Sequence, residues 1–483
     1  MFEKVFKLTE NKTSVKTEVV AGLTTFMTMA YIIALNPNLL TNFDTGSKLW
    51  NGVFMATCIA SAIGTIWMAF RANMPFVMAP GMGLNSFFAV VVANMATATG
   101  LSYTESFQGA LIIILIEGIV FLALSVLNIR EKIVEAIPLG IRLGISPAIG
   151  LMLLNIGFGS NAGVYGAFDP VTGTTPVFYA MKDFFGALTP SVIQDNMAAA
   201  GASYGAMVLN VVTTFIGFFA ILALDHKKVK GSVLWGMLLA SVINWGGQLL
   251  FLGNNPFASL ATASFLPPVA DMAEVTLFKL NLNSFLQIGW FTAISLVITF
   301  CIIDMFDTIG TLVGTASRAG MVDKNGNIPN MKQALIADAI GTVAGALSGT
   351  STVTTFVESA SGVEAGGRTG LTALVAGLLF LACIFLSPIV ALIPAAATSA
   401  ALIYVGVLML GGLRNIDFDD NTQLVPVAVM LLTMPVSGSI GHGIGLGMII
   451  FTFMKIFSGK AKDVSILTYA ISALFLVKFF LAV

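Results

Sequence analysis

The sequence predicts an all-α polytopic membrane protein of about fourteen spans, arranged as two inverted halves of seven. Three observations carry that expectation: a composition too apolar for water, a succession of apolar runs of spanning length, and polar or small-residue interruptions at matching places in the two halves. Of the 483 residues, 57% are hydrophobic and 10% charged, whereas soluble domains carry about 25% charge. The surplus apolar surface requires lipid to cover it.

The elements follow in chain order. Residues 1–18, "MFEKVFKLTENKTSVKTE", form a polar, lysine-bearing segment. The apolar run after it is of full spanning length and has no small-residue cleavage site, so it reads as a first span rather than a removable signal peptide. Apolar runs place spans near 19–38, 51–70, 76–98, 106–128, 133–156, 203–224 and 231–252, the first repeat being 19–252. A second repeat, 285–457, follows with runs near 285–314, 333–349, 352–363, 370–393, 396–413, 422–437 and 439–457. Segment 458–483 holds a last apolar piece, 464–482, that reads equally as an interfacial helix or a fifteenth span.

The lysines and arginines test this threading, because cytoplasmic loops collect them. With a cytoplasmic N-terminus most of the 23 fall inside, only Lys48, Lys182 and Lys279 fall outside, and Arg142 and Lys478 sit within apolar segments. The outside then carries long loops near 157–202 and 253–284. "MPFVMAPGMGLNSFFAV" (74–90) and "GTSTVTTFVESASGVEAGG" (349–367) are rich in Gly, Pro, Ser or Thr, and each opens with residues that favour extended backbone. They fall in the third and tenth spans, seven apart. An odd number of spans per half makes the halves opposite in orientation, and interrupted helices in matching positions of such repeats mark a binding site near mid-membrane.

The acids point to chemistry. Asp304 and Asp307, in "FCIIDMFDTIG", share one helical face. Each charge at the bilayer centre costs about 2.5 to 3.5 kcal/mol on insertion scales, so the pair must face protein or a watery cavity. Two acids in one buried place are suited to holding and releasing a proton, although one aspartate serving only to accept amide hydrogen bonds in a broken helix is the alternative. Glu358, at the expected start of a half-helix, is either a capping carboxylate or a ligand-facing acceptor, and the Ser and Thr beside it are able to cap in its place. Asn85, in "APGMGLNSFF", supplies both a donor and an acceptor. Together these groups complement a flat heterocycle with several N–H and C=O edges, and Phe26 is a candidate ring platform for it.

Glu117 and Asp338 read as helix-packing acids, and His442 as interfacial. Net charge of −1 with no long basic block leaves no footprint for nucleic acid. Cys58, Cys301 and Cys383 show no redox or metal spacing and read as small core residues. No nucleophile–base set, metal cluster or cofactor motif is visible, and "GMGLN" lacks the GK[ST] of a phosphate loop. An enzyme is therefore not expected, nor is an ion channel with its rings of repeated polar residues; transport energy is expected from an ion gradient.

The motifs "TEVVAGLTTFMTMAYIIALNP", "APGMGLNSFFA", "DMFDTIGTLVG" and "GTSTVTTFVESASGVEAGGRTGLTA" resemble those of the guanine, hypoxanthine and adenine permeases, the AzgA-like branch of the nucleobase transporters, over nearly the whole chain. The resemblance implies the uracil-transporter-like fold, with core spans 1–4 and 8–11, gate spans 5–7 and 12–14, and short strands in spans 3 and 10. It implies proton symport of purine nucleobases into the cell across the plasma (inner) membrane, with a homodimer as a common assembly. By motif, Asn85, Asp304 and Glu358 match substrate-binding positions, with Gly83, Ser359 and Phe26 beside them; Asp307 matches the second acid of the eighth span, whose part in the family is either coupling or helix positioning, and Asp304, Asp307 and Glu358 are the expected proton-coupling acids. A pyrimidine or xanthine permease, or an anion transporter of the same fold, is the alternative; three acids and one intramembrane cation, Arg142, argue against an anion.

Overall fold

The computed structural model describes residues 2–42, 44–127, 138–158, 203–318, 321, 328, 330–437 and 440–481. Most of the expected loop over 157–202, and the join at 128–137, lie outside the described residues. Among those described, ten helical segments are long and apolar enough to cross a membrane. The protein is a multi-pass membrane protein.

After a five-residue helix at Phe2–Phe6 comes α1 (Val15–Met29), whose first turn is capped by Ser14 accepting from Thr17 N at 3.2 Å, and which continues through Tyr31 into α2 (Ile32–Leu40). Ser47 caps α3 (Lys48–Trp67) in the same way. Strand β1 (Met78–Pro80) leads into α4 (Met82–Thr99). A reciprocal capping box opens α5 (Tyr103–Val126): Ser102 accepts from Glu105 N, and the Glu105 carboxylate accepts from Ser102 N at 3.0 Å. Then come α6 (Leu139–Phe158), α7 (Tyr204–His226), α8 (Ser232–Gly247) and the long α9 (Trp290–Arg318). Helix α10 (Met331–Ser348), strand β2 (Val353–Thr355), the short α11 (Ser359–Glu364) and α12 (Gly370–Ala382) follow. The last helices are α13 (Ala395–Met409), α14 (Asn421–Ser437), α15 (Ile440–Phe457) and α16 (Ile466–Leu481). Residues 464–482, unassigned from sequence, are therefore mainly helix.

The helices sort into two compact units. The first comprises Met1–Ile137, Phe265–Ser387 and Leu476–Val483, and the second Pro138–Ser264 and Pro388–Phe475. Within the second, α6 packs on α13 and α14, and α7 on α8 and α13. The α6–α13 crossing depends on Gly150 and Gly406, since a Cβ on either would sit 2.7 Å from the other's carbonyl oxygen. Small residues of this kind let membrane helices approach closely enough to gain packing that lipid cannot supply.

Within the first unit α10 lies against α3 and α5, and α12 against α1 and α3. A buried cluster of Met74, Phe76, Met78, Leu312, Leu335 and Val353 surrounds the strands. β1 and β2 pair antiparallel, Met78 opposite Thr355, Ala79 opposite Thr354 and Pro80 opposite Val353. The pairing continues beyond both ends, through Gly81 N to Thr352 O and Phe356 N to Val77 O, each 3.0 Å.

Non-helical backbone survives at membrane depth only when protein satisfies its polar groups. Here hydroxyls from outside the ladder do so. Thr65 on α3 accepts from Met78 N at 2.9 Å and donates to Met78 O at 3.2 Å. Thr342 on α10 donates to Val353 O at 3.2 Å, and Ser359 accepts from Val77 N at 3.0 Å. Pro80 has no N–H to satisfy.

Candidate functional site

Three elements of the first unit meet beside the strand crossing, and each brings an acid. Helix α9 presents Asp304, buried, and one turn later Asp307, half-buried, and Thr308, buried. Helix α10 brings the buried Asp338. The turn after β2 brings Glu358. Thr308 Oγ1 lies 3.0 Å from Asp304 Oδ1, 2.8 Å from Asp338 Oδ1 and 2.7 Å from Thr354 Oγ1 of β2. Asp307 reaches toward the start of α4: its Oδ2 would be 3.5 Å from a Cβ at Gly81.

Glu358 occupies the N-cap position of α11, yet its side chain caps nothing there. Its Oε1 accepts instead from the Tyr31 hydroxyl at 2.7 Å, across from the α1–α2 join. Between the two readings open for Glu358 in the sequence, the cap is the one this geometry disfavours. Helix α11 is held from behind. Arg368 Nη1 donates to Val363 O at 2.6 Å and to Gly367 O at 2.7 Å, satisfying carbonyls at the helix C-terminus. The buried carboxylate of Glu18 accepts in turn from Arg368 N at 2.9 Å and Thr372 Oγ1 at 2.6 Å.

Asn85 sits in the first turn of α4 and is wholly buried. Its Nδ2 donates to Pro80 O at 3.2 Å and its Oδ1 accepts from the Ser351 hydroxyl, so it ties the end of β1 to the approach to β2. A carboxamide has two N–H groups and two acceptor lone pairs, so one of each is left beyond these bonds. Gly83 is buried in the same turn. Ser359 is engaged with Val77 of the backbone before β1. Phe26 stands apart from the acids in its observed contact, edge-on to Phe380 with ring centroids 5.3 Å apart.

Tyr31 and Thr308 carry no signal of their own in the sequence, where Asp338 and Glu117 read as packing acids alone. Glu117 braces the second break, its Oε2 accepting from Thr352 Oγ1 at 2.7 Å. Thr308 follows Asp307 directly, and Tyr31 ends the stretch "TTFMTMAY" that contains Phe26, so both were within view. What marks them is partners far away in sequence.

A family model described as Permease family (Xan_ur_permease) matches residues 16–444. The chain belongs to that family. The permease is a transporter and not an enzyme. Adenine permease AdeP of Escherichia coli K12 is 37% identical to it over 483 residues, covering 99% of this chain and 96% of that protein. Guanine/hypoxanthine permease PbuO of Bacillus subtilis is 35% identical over 480 residues, covering 99% of this chain and 100% of PbuO. Among solved structures, the transmembrane domain of a cyanobacterium bicarbonate transporter, BicA, matches the permease with a TM-score of 0.62 at 15% identity, over 89% of this chain and 96% of that one, a likeness of fold.

Proposed function

We propose that this permease imports purine nucleobases, hypoxanthine, guanine and adenine among them, by proton symport across the plasma (inner) membrane, with its N-terminus cytoplasmic. The observation that carries the reading is Glu358, a half-buried acid at the mouth of α11 whose carboxylate accepts from the Tyr31 hydroxyl and makes no side-chain cap on the helix. A carboxylate accepts only, and two of them on converging elements suit the N–H edges of a purine. In this reading Glu358 and Asp304 accept from the base, the remaining N–H and lone pair of Asn85 meet a carbonyl or ring nitrogen, and Phe26, Gly83 and Ser359 complete the wall. Asp304, Asp307 and Glu358 form the acid group from which the driving proton is drawn. The names of AdeP and PbuO support adenine, guanine and hypoxanthine over pyrimidines or xanthine, and a concentration of acids is a poor setting for an anion. About fourteen spans in two inverted halves is the topology that goes with this reading.

The test is uptake of radiolabelled hypoxanthine, guanine, adenine, xanthine and uracil in cells lacking their own carriers, with and without a protonophore. Saturable uptake of at least one of hypoxanthine, guanine and adenine that collapses with the protonophore is expected. Uptake confined to uracil or xanthine, or indifferent to the protonophore, would overturn the substrate or the coupling respectively.

A further inference from the structure

The Thr308 hydroxyl has more oxygen neighbours than it has protons to share. It lies within 3.0 Å of three oxygens, on Asp304, Asp338 and Thr354, and a threonine hydroxyl donates once and accepts twice. When Thr354 donates to Thr308 and Thr308 donates to one carboxylate, the other carboxylate meets Thr308 lone pair to lone pair unless it carries a proton of its own. When Thr308 donates to Thr354 instead, both carboxyls need protons. Every assignment that makes all three contacts hydrogen bonds therefore places at least one proton on Asp304 or Asp338. All four side chains are buried, so bulk water does not relieve the conflict.

We propose that Asp304 and Asp338 hold one proton between them through Thr308, and that this pair, rather than Asp304 with Asp307, takes up and releases the transported proton. Only O–H bonds change: a proton arriving at the doubly ionised pair forms one O–H on either carboxyl, and its departure breaks that bond. Rotation of the Thr308 hydroxyl decides which partner holds the proton. The third contact, Thr354, belongs to β2 and lies four residues before Glu358, which connects the state of the pair to the strand leading to the proposed substrate acid. Other ionisable groups stand on elements packed around α9 and α10: Asp307 on α9, Glu117 and Glu105 on α5, Lys48 on α3, Arg71 beyond it, Lys332 on α10, Glu358 just before α11 and Glu364 at its end. Glu105, Lys48, Arg71, Lys332 and Glu364 are exposed, which leaves Asp307, Glu117 and Glu358 as the inner neighbours of the pair.

The inference rests on the symport reading, and the experiment separates the two. The purified permease in liposomes is assayed with radiolabelled hypoxanthine in two ways: accumulation driven by an imposed pH gradient, and exchange of hypoxanthine for hypoxanthine at equal pH. A gradient of one pH unit supports up to about tenfold accumulation at one proton per base. Asp338→Asn supplies a permanent donor in place of the shared proton, so it is expected to retain exchange while accumulation falls to simple equilibration. Thr308→Val should give the same split and Thr308→Ser should restore accumulation. Asp338→Asn accumulating hypoxanthine like wild type, or losing exchange together with accumulation while still monodisperse on gel filtration, overturns the proposal. If Asp338→Asn does not fold, the threonine pair decides: Thr308→Val accumulating as Thr308→Ser does overturns it as well. Wild-type protein that exchanges but never accumulates instead overturns the symport reading beneath it.

Discussion

β1 and β2 each lead from a buried strand into a helix, but α4 runs for 18 residues and α11 for 6. At the mouth of α4 stands Asn85, wholly buried, with both ends of its carboxamide engaged inside the protein. At the mouth of α11 stands Glu358, half-buried and accepting from the Tyr31 hydroxyl at the α1–α2 join. The two breaks thus divide the labour: the first holds the crossing together, while the second presents a carboxylate. A six-residue helix has little stability of its own, and the Arg368 and Glu18 contacts behind α11 supply what its length does not.

The sharpest way to break this comparison is to change the two polar residues separately. Glu358→Gln keeps the shape but removes the charge, and a hydrogen bond to a charged group is worth about 1.5 to 3 kcal/mol. Purine uptake is expected to weaken by roughly 10- to 100-fold in apparent affinity, with the melting temperature of detergent-solubilised protein little changed. Asn85→Ala should do the reverse in emphasis, stranding Pro80 O and the Ser351 hydroxyl at a cost of about 2 kcal/mol, read as a clear drop in melting temperature alongside reduced uptake. Equal thermal stability of the two variants would erase the distinction. Gly81→Ala probes the contact between the breaks, since the new methyl would lie 2.7 Å from Thr354 Cγ2 and near Asp307; overpacking of about 1 to 2 kcal/mol is expected, with uptake impaired more than folding. Tyr31→Phe removes the hydroxyl that donates to Glu358 and should change apparent affinity by several-fold, in line with about 1 kcal/mol, which a concentration series of uptake would resolve.

Much of this site was legible in the sequence because polar residues in hydrocarbon stand out. Asp304, Asp307 and Glu358 interrupt apolar runs, and segments 74–90 and 349–367 announce broken backbone through Gly, Pro, Ser and Thr. What the sequence could not convey is which distant groups meet. Asn85 was identified as a donor and acceptor, but its partner Ser351 comes from the other half of the chain. Asp338 lies in "LIADAIGT", where small neighbours read as a packing face, and periodicity states the face without naming what lies opposite. Thr308 looks like any threonine in a membrane helix until α9, α10 and β2 are assembled around it.

The threonine and serine hydroxyls that close off the strand edges carry one more consequence. Short two-stranded ladders ordinarily fray, because water competes for their outer peptide groups. Deuterium should therefore enter the amides of Val77, Met78, Gly81 and Phe356 as late as it enters the middles of the long helices, and Thr65→Val should let it into Met78 first.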